Sequence, residues 1–185
     1  MNQLNTWWRD TTGSRVTPEM YLDSFGETLY MVGISLFLGA LLGIPLALAF
    51  VITRPGGLKP NKVVYGVLNV VVNIIRSLPF IILLVAISPF TRVIAGTAIG
   101  TTAALVPLTL YIAPFIARLI EQSLLEVNPG ITEAADSMGA SLFQTIRYFL
   151  LPEAKSSIIL AVTTATIGLI SATAMAGTIG GGGVG

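Results

Sequence analysis

A long run without charge, Leu29 to Ile52, limits what this chain can fold into more than any other feature. Its sequence is LYMVGISLFLGALLGIPLALAFVI. As a helix rising about 1.5 Å per residue, such a run crosses a hydrocarbon core of about 30 Å. Because a bilayer offers the backbone no water, a single apolar run that crosses it does so as a helix. Together with the further apolar stretches downstream, this run predicts an all-α polytopic membrane protein.

The composition agrees with a membrane location and excludes several classes of site. Apolar residues make up 54% of the chain and charged residues 10%, whereas soluble domains carry about 25% charged residues. The net charge of +1 argues against nucleic acid as a partner, which needs a dense basic face. The chain has no Cys and no His, which excludes thiol nucleophiles, disulfides and the usual zinc, haem and iron–sulfur ligand sets. No catalytic residue, cofactor or metal site is predicted.

A second apolar stretch, Val63–Phe90, is longer than one span needs. Pro79 lies inside it, removes a helix hydrogen bond and crowds the carbonyl of Ile75. We expect either a kinked helix or an interfacial segment that leads into a steeper one.

Arg76 is the one charged residue within this stretch. An ionisable group at membrane depth marks a functional site by default, so Arg76 and Pro79 are candidates for a transport pathway or for helix packing. Alternatively, Arg76 extends to the inner interface from a helix that begins late. Both interpretations stay open at this point.

Two further spans are predicted. The third lies in Ile94–Ile116, with Arg118 at its end, and the fourth in Ser156–Ala176. The fourth is rich in Ala, Ser, Thr and Gly, which let helices approach closely. We therefore expect it inside the helix bundle.

Gly39 and Gly43 in the first span form a G-x-x-x-G step, with Gly33 nearby. This spacing favours close contact with another helix. It also arises by chance, because Gly is common in membrane helices.

The distribution of Lys and Arg predicts the orientation, since short cytoplasmic loops carry an excess of basic residues. One side has six basic residues and the other three: Arg54, Lys59, Lys62, Arg118, Arg147 and Lys155 against Arg9, Arg15 and Arg92. This places the segment around residue 133 in the cytoplasm and the N-terminus outside. Residues 1–23 then form an extracytoplasmic or interfacial segment, which Trp7 and Trp8 anchor at the lipid boundary.

The polar segment between the last two spans is predicted to form two helices. Asn128 is a suitable N-cap before Pro129, Gly139 suits the left-handed residue that closes a helix, and Ser141 with Gln144 forms a capping box. In the first helix, Ile131, Ala135, Met138 and Leu142 recur on one side, while Thr132, Glu133, Asp136 and Ser137 share the other. The residues alone leave three alternatives: a surface loop, an interfacial helix, or a helix that docks in a groove of another protein.

The segment EAADSMGASLFQTIRYFLLP resembles the E-A-A-x3-G-x9-I-x-L-P signature of ABC importer permeases. Phe149 stands where that family usually has Ile. RSLPFIILLVA, residues 76–86, is similar to the family's R-G-T-P-type segment, and GTIGGGGVG, residues 177–185, resembles its glycine-rich outer loop. The resemblance extends from about Ser24 to the end and is strongest to the permeases of methionine importers.

This resemblance implies a type I, binding-protein-dependent importer fold over residues 24–185, with a cytoplasmic coupling helix at about 129–142. Family members usually have five spans, and this sequence stops where the fifth is expected to begin. The implied partners are a second copy of the chain, two ATPase subunits that bind ATP and Mg²⁺, an extracytoplasmic substrate-binding protein and lipid of the bacterial inner membrane. The residues implied to dock on the ATPase are Glu133, Ala134, Ala135, Asp136, Met138, Gly139, Leu151 and Pro152.

The implied function is that of a permease subunit in ATP-driven amino-acid import, methionine being the expected substrate. The chain contains no G-x-x-x-x-G-K-[ST] sequence, so it is not expected to hydrolyse ATP itself. The alternatives are the same architecture importing another small solute, and an ATPase-independent channel or secondary transporter. The last class usually places paired acids within its spans, and the predicted spans have none.

Overall fold

The computed structural model describes residue 11, residues 17–178 and residues 180–184. The expected anchors Trp7 and Trp8, and also Arg9 and Arg15, lie outside the described residues. The described helices are α1 (Pro18–Thr53), α2 (Lys62–Ser77), α3 (Phe80–Ala86), α4 (Ser88–Ala95), α5 (Thr101–Leu125), α6 (Pro129–Ser137), α7 (Leu142–Gln144), a π-helical turn (Thr145–Leu150), α8 (Leu151–Glu153) and α9 (Lys155–Gly177).

Helix α1 contains the first predicted span and extends well beyond it. The helix begins after Thr17, whose hydroxyl accepts a hydrogen bond from the Met20 N–H, and Pro18 occupies its first turn. Its 36 residues make a helix of about 54 Å, so its polar first turns extend past the hydrocarbon. The expected domain boundary after residue 23 falls inside this continuous helix.

The G-x-x-x-G step is a site of close helix contact, as predicted. A Cβ atom on Gly39 would collide with Ile112 Cγ2, and one on Gly43 would lie 2.7 Å from the carbonyl oxygen of Ala113. Gly33 has no such role, because no described atom lies within 4 Å of a Cβ built there. Helices α1 and α5 therefore pack backbone against backbone and form the core.

The second apolar stretch is broken rather than gently kinked. Helices α2 and α3 meet at 105°, and the break falls at Leu78 and Pro79. A residue before Pro is disfavoured in helical conformation, which explains the end of α2 at Ser77. The predicted change of direction at Pro79 is confirmed, while the interfacial position of the first segment stays a prediction.

The bounds predicted for the third span are wrong. Helix α4 ends at Ala95, and the left-handed residues Gly96 (φ 75°) and Gly100 (φ 107°) separate it from α5. Helix α5 also continues past Arg118 to Leu125, because the charge of Arg118 is paired inside the protein rather than exposed at a helix end.

The fourth predicted span corresponds to α9 within one residue at each end. It buries a stripe of mostly small side chains against α5 and α1: Ala161, Ala165, Leu169, Ala172 and Ala176. Its other side exposes Ile159, Leu160 and Ile167. Within one chain, α9 thus packs by a single face instead of lying inside the bundle.

The glycine-rich loop after α9 folds onto the first turns of α1. The Gly183 N–H donates to Glu27 Oε2 at 2.7 Å, and the Val184 N–H donates to the Thr28 hydroxyl at 3.0 Å. Gly182 and Gly183 both have positive φ. The loop therefore joins the start of α1 to the end of α9.

Among the described residues, three helices are long and apolar enough to cross a membrane: α1, α5 and α9. A fourth span results if α2 and α3 together cross once. The architecture is all-α, as the sequence predicted.

The glycine contact makes a direct prediction for stability. Gly43→Ala should lower the free energy of unfolding by about 1–3 kcal/mol, because the added methyl meets a backbone carbonyl that must shift. Gly33→Ala in the same helix is the matched control and should leave stability unchanged or raised, since Ala favours helix over Gly. Thermal unfolding of the purified protein in detergent measures both; equal Tm values would contradict the close contact.

Candidate functional site

The helix at residues 129–137 is closed at both ends by its own residues. The Asn128 side chain accepts a hydrogen bond from the Gly130 N–H at 2.8 Å. At the other end, the Gly139 N–H donates to the Asp136 carbonyl and the Ala140 N–H donates to the Ala135 carbonyl. With Gly139 at φ 70°, this is a Schellman motif. The predicted cap and closing glycine are confirmed, although the helix ends at Ser137 instead of reaching residue 142.

The capping box that opens the next helix is also present. The Ser141 hydroxyl accepts from the Gln144 N–H at 3.4 Å, and Gln144 Oε1 accepts from the Ser141 N–H at 2.8 Å. The helix then widens into the π-helical turn before Pro152. Pro lacks the N–H that a regular helix would pair with the Tyr148 carbonyl, and π turns inside helices are frequent at functional sites.

The residues of the signature are not all on the outer surface. Glu133, Ala134, Asp136 and Met138 are exposed, and so are Gly139 and Pro152, while Leu151 is half-buried. Ala135 is the one fully buried residue of α6, and α6 contacts the π-helical turn of its own chain. The apolar side expected from the helical spacing is therefore only partly internal, because Met138 and Leu142 are exposed.

Two large side chains in this segment were missed at the level of sequence. Phe143 is 70% exposed and Tyr148 is 65% exposed, comparable with Met138 at 66%. Exposed aromatic and Met side chains outside the membrane are typical of protein interfaces. The signal was present, since both aromatics belong to the polar segment itself.

A cavity of about 370 Å³ separates α6 from the loop after α1. Its wall contains Arg54 from the loop and Glu133 and Asp136 from α6. Opposite charges thus line the two sides of this cavity, next to the C-terminal ends of α1 and α5.

Arg76 lies in the last turn of α2, one turn before Pro79. Its side chain is exposed, and its Cζ lies 5.9 Å from the centre of the Phe115 ring. A cation at a helix C-terminus is favoured by the helix dipole. The structure thus explains Pro79 by the helix break, whereas the pathway role of Arg76 stays a prediction.

The sequence predicts Arg118 at the end of a span, whereas the structure places it within α5 as part of a paired charge. Arg118 Nη1 donates to Glu121 Oε2 at 2.7 Å, and their side chains are 14% and 5% exposed. This is the one salt bridge found among the described residues. The i, i+3 spacing of opposite charges was the available signal.

The chain resembles known proteins in both sequence and fold. Residues 36–185 match the family of the binding-protein-dependent transport system inner membrane component. The chain is 52% identical to the probable D-methionine transport system permease protein MetI of Vibrio cholerae serotype O1, over 90% of this chain and 74% of that protein. It is 48% identical to the D-methionine transport system permease protein MetI of Escherichia coli K12, over 82% and 70% respectively.

Solved structures with the same fold include inward-facing conformations of the MetNI methionine ABC transporter. One of these has a TM-score of 0.89 and 45% identity, covering 92% of this chain and 79% of the other. An amino acid ABC transporter crystallised with histidines has a TM-score of 0.73 at 22% identity, covering 97% and 78%. The second likeness concerns the fold alone.

The left-handed glycine that closes α6 yields a second prediction. Gly139→Val should destabilise the end of α6 by about 1–2 kcal/mol, because a branched side chain is strained at this φ. Hydrogen exchange of residues 129–144 should become about tenfold faster. Ala134→Val, at an exposed position with ordinary helical backbone, is the control and should change exchange far less; equal acceleration in both variants would contradict the role of Gly139.

Proposed function

Because the chain belongs to the family of binding-protein-dependent transport system inner membrane components, we propose that it is the membrane-spanning permease subunit of an ATP-driven methionine importer. The observation that carries the proposal is the exposed, self-capped helix α6, which bears the ABC importer signature in a chain 52% identical to a probable D-methionine permease. The chain is a multi-pass inner membrane protein.

The proposed orientation places α6 in the cytoplasm and the start of α1 outside. Arg54, Lys59 and Lys62, which follow α1, then lie at the cytoplasmic face with Arg147 and Lys155. This distribution follows the positive-inside rule. The glycine-rich loop after α9 lies at the outer end of the molecule in this orientation.

The proposed partners follow from the surfaces that one chain leaves uncovered. Helix α2 exposes Val63, Val67 and Val70, and a second copy with surrounding lipid would cover such faces. Two ATPase subunits would bind ATP and Mg²⁺ and dock on α6, while a binding protein would deliver substrate outside. The chain itself would hydrolyse no ATP.

In the proposed mechanism, closure of the ATPases moves α6, and the short link at residues 126–128 transfers this movement to α5. The Ser157 hydroxyl also donates to Glu126 Oε2 at 2.9 Å. This contact joins the link to the first turn of α9. Movement at the cytoplasmic face thereby reaches two spans at once and alternates access to the pathway.

The docking proposal predicts the behaviour of one exposed residue. Met138→Asp should weaken association with the ATPase about tenfold or more, because the charge would lose water on docking. Met138→Leu keeps an apolar side chain of similar size and should associate normally. Co-purification of the ATPase with each variant measures the effect. If the Met138→Asp variant associates as well as the native chain, Met138 has no docking role.

The transport proposal is tested with the native complex in proteoliposomes. Accumulation of labelled methionine should require ATP and the loaded binding protein, and other amino acids should compete poorly. ATP-dependent uptake of a different solute would favour the same architecture with another substrate. Uptake driven by an ion gradient without the ATPase would instead place the chain among secondary transporters.

A further inference from the structure

The ion pair of Arg118 and Glu121 lies among buried apolar residues of α5. Ala117 and Ile120 are its neighbours, with 0% and 2% exposure. Charges in such surroundings are costly unless they are paired and hydrogen-bonded. The signature helix, the glycine contact and the caps account for other parts of the chain and give no reason for this pair.

The two terminal nitrogens of the Arg118 guanidinium contact different helices. One nitrogen, Nη1, donates to Glu121 within α5, and the other, Nη2, donates to the side-chain oxygen of Asn69 on α2. Nη2 also lies 3.5 Å from the side-chain oxygen of Asn73. Asn69 and Asn73 are four residues apart, on one face of α2. Arg118 is therefore shared between two helices.

An aromatic side chain from α1 completes the cluster. The Arg118 Cζ lies 4.1 Å from the centre of the Phe50 ring, and Tyr65 of α2 meets the same ring edge to face at 5.8 Å. Phe50 is fully buried. A cation stacked on a buried ring in this way is held in place. Three helices, α1, α2 and α5, thus meet around one guanidinium.

Apart from this cluster, α2 is weakly attached to the rest of the chain. Val72 is the one residue of α2 that is buried, while Val67, Val70, Val71 and Ile74 on its other faces are exposed. The helix ends at the 105° break next to Pro79. Besides the cluster, Arg76 lies near the Phe115 ring of α5, so a few polar and aromatic contacts position α2 rather than a broad buried face.

We propose that Arg118 is a positioning residue that locks α2 onto α5, so that movement of α6 is transmitted through α5 to the break at Leu78 and Pro79. The inference rests on the proposed function for the source of the movement. The lock itself depends only on the contacts of Arg118. A residue needed only to neutralise the charge of Glu121 would require no hydrogen bond to α2.

Two variants separate the lock from simple charge balance. Arg118→Lys keeps a cation for Glu121 but loses the planar fork that reaches two partners. Asn69→Leu removes the nearer of the two acceptors on α2, leaving only Asn73 at 3.5 Å, and keeps the ion pair of α5 intact. In both variants, the amount of methionine imported per ATP hydrolysed should fall about tenfold, a change typical of the coupling between two sites. Assembly with the ATPase and the rate of ATP hydrolysis should change by less than about twofold.

Arg92→Lys is the matched control, because Arg92 is an exposed arginine on α4; it should keep the native ratio of import to hydrolysis. A native ratio in both Arg118→Lys and Asn69→Leu would overturn the proposal. A native ratio in Arg118→Lys with loss in Asn69→Leu would also overturn it, since the role of Asn69 would then not depend on the guanidinium fork of Arg118.

A second measurement detects the lock without any transport. The chain has no Cys, so Val72→Cys introduces a single thiol on the buried face of α2, where Val72 is 2% exposed. In the native background this thiol should resist maleimide, and Arg118→Lys or Asn69→Leu should accelerate labelling about tenfold as α2 opens locally. Unchanged labelling would contradict the lock. If native complexes import no methionine but the labelling result holds, the proposed substrate is wrong and the lock stands.

Discussion

The close contact of α1 with α5 is the interaction on which the rest of the structure depends. Gly39 and Gly43 remove the side chains that would hold the helices apart, so Ile112 and Ala113 meet the α1 backbone. Because the two helices are long and closely packed, this contact also fixes the positions of residues near both ends of α1. Phe50 then lies under Arg118, and Glu27 lies where it accepts the N–H of Gly183. In a bilayer, where apolar side chains gain little by leaving lipid, such backbone contact is what holds helices together.

The sequence predicted those parts of the fold in which local chemistry decides the outcome. The caps at Asn128, Gly139 and Ser141, the limits of α9 and the glycine contact were all predicted, because each depends on a few neighbouring residues. Pro79 likewise predicted a change of direction before α3, though not its angle of 105°. The limits of α5 were not predicted, since apolar composition continues from α4 into α5. The contacts of Arg118 with α1 and α2 were not predicted either, because these partners are distant in sequence.

The predictions for the site also succeeded where neighbouring residues decide the structure and failed where tertiary contacts decide it. The signature located the segment and its helix, but helical spacing could not tell which side of α6 faces its own chain. Ala135 is buried because α6 contacts the π-helical turn, which only the three-dimensional structure places beside this helix. Ser137 donates to the Glu133 carbonyl within α6, whereas Glu133, Asp136 and Met138 expose side chains that stabilise no part of the described fold. This exposure is the physical basis of the docking role proposed for α6.

The central claim is that an ATPase acts on this chain through the exposed side of α6, and cysteine cross-linking tests it most directly. Since the chain has no Cys, single thiols at Met138→Cys and Ala135→Cys report on the outer and inner sides of the same helix. The account predicts that the thiol at position 138 cross-links to the co-purified ATPase and that the thiol at position 135 does not. Cross-linking from position 135 alone, or from neither position in an assembled complex, would contradict it.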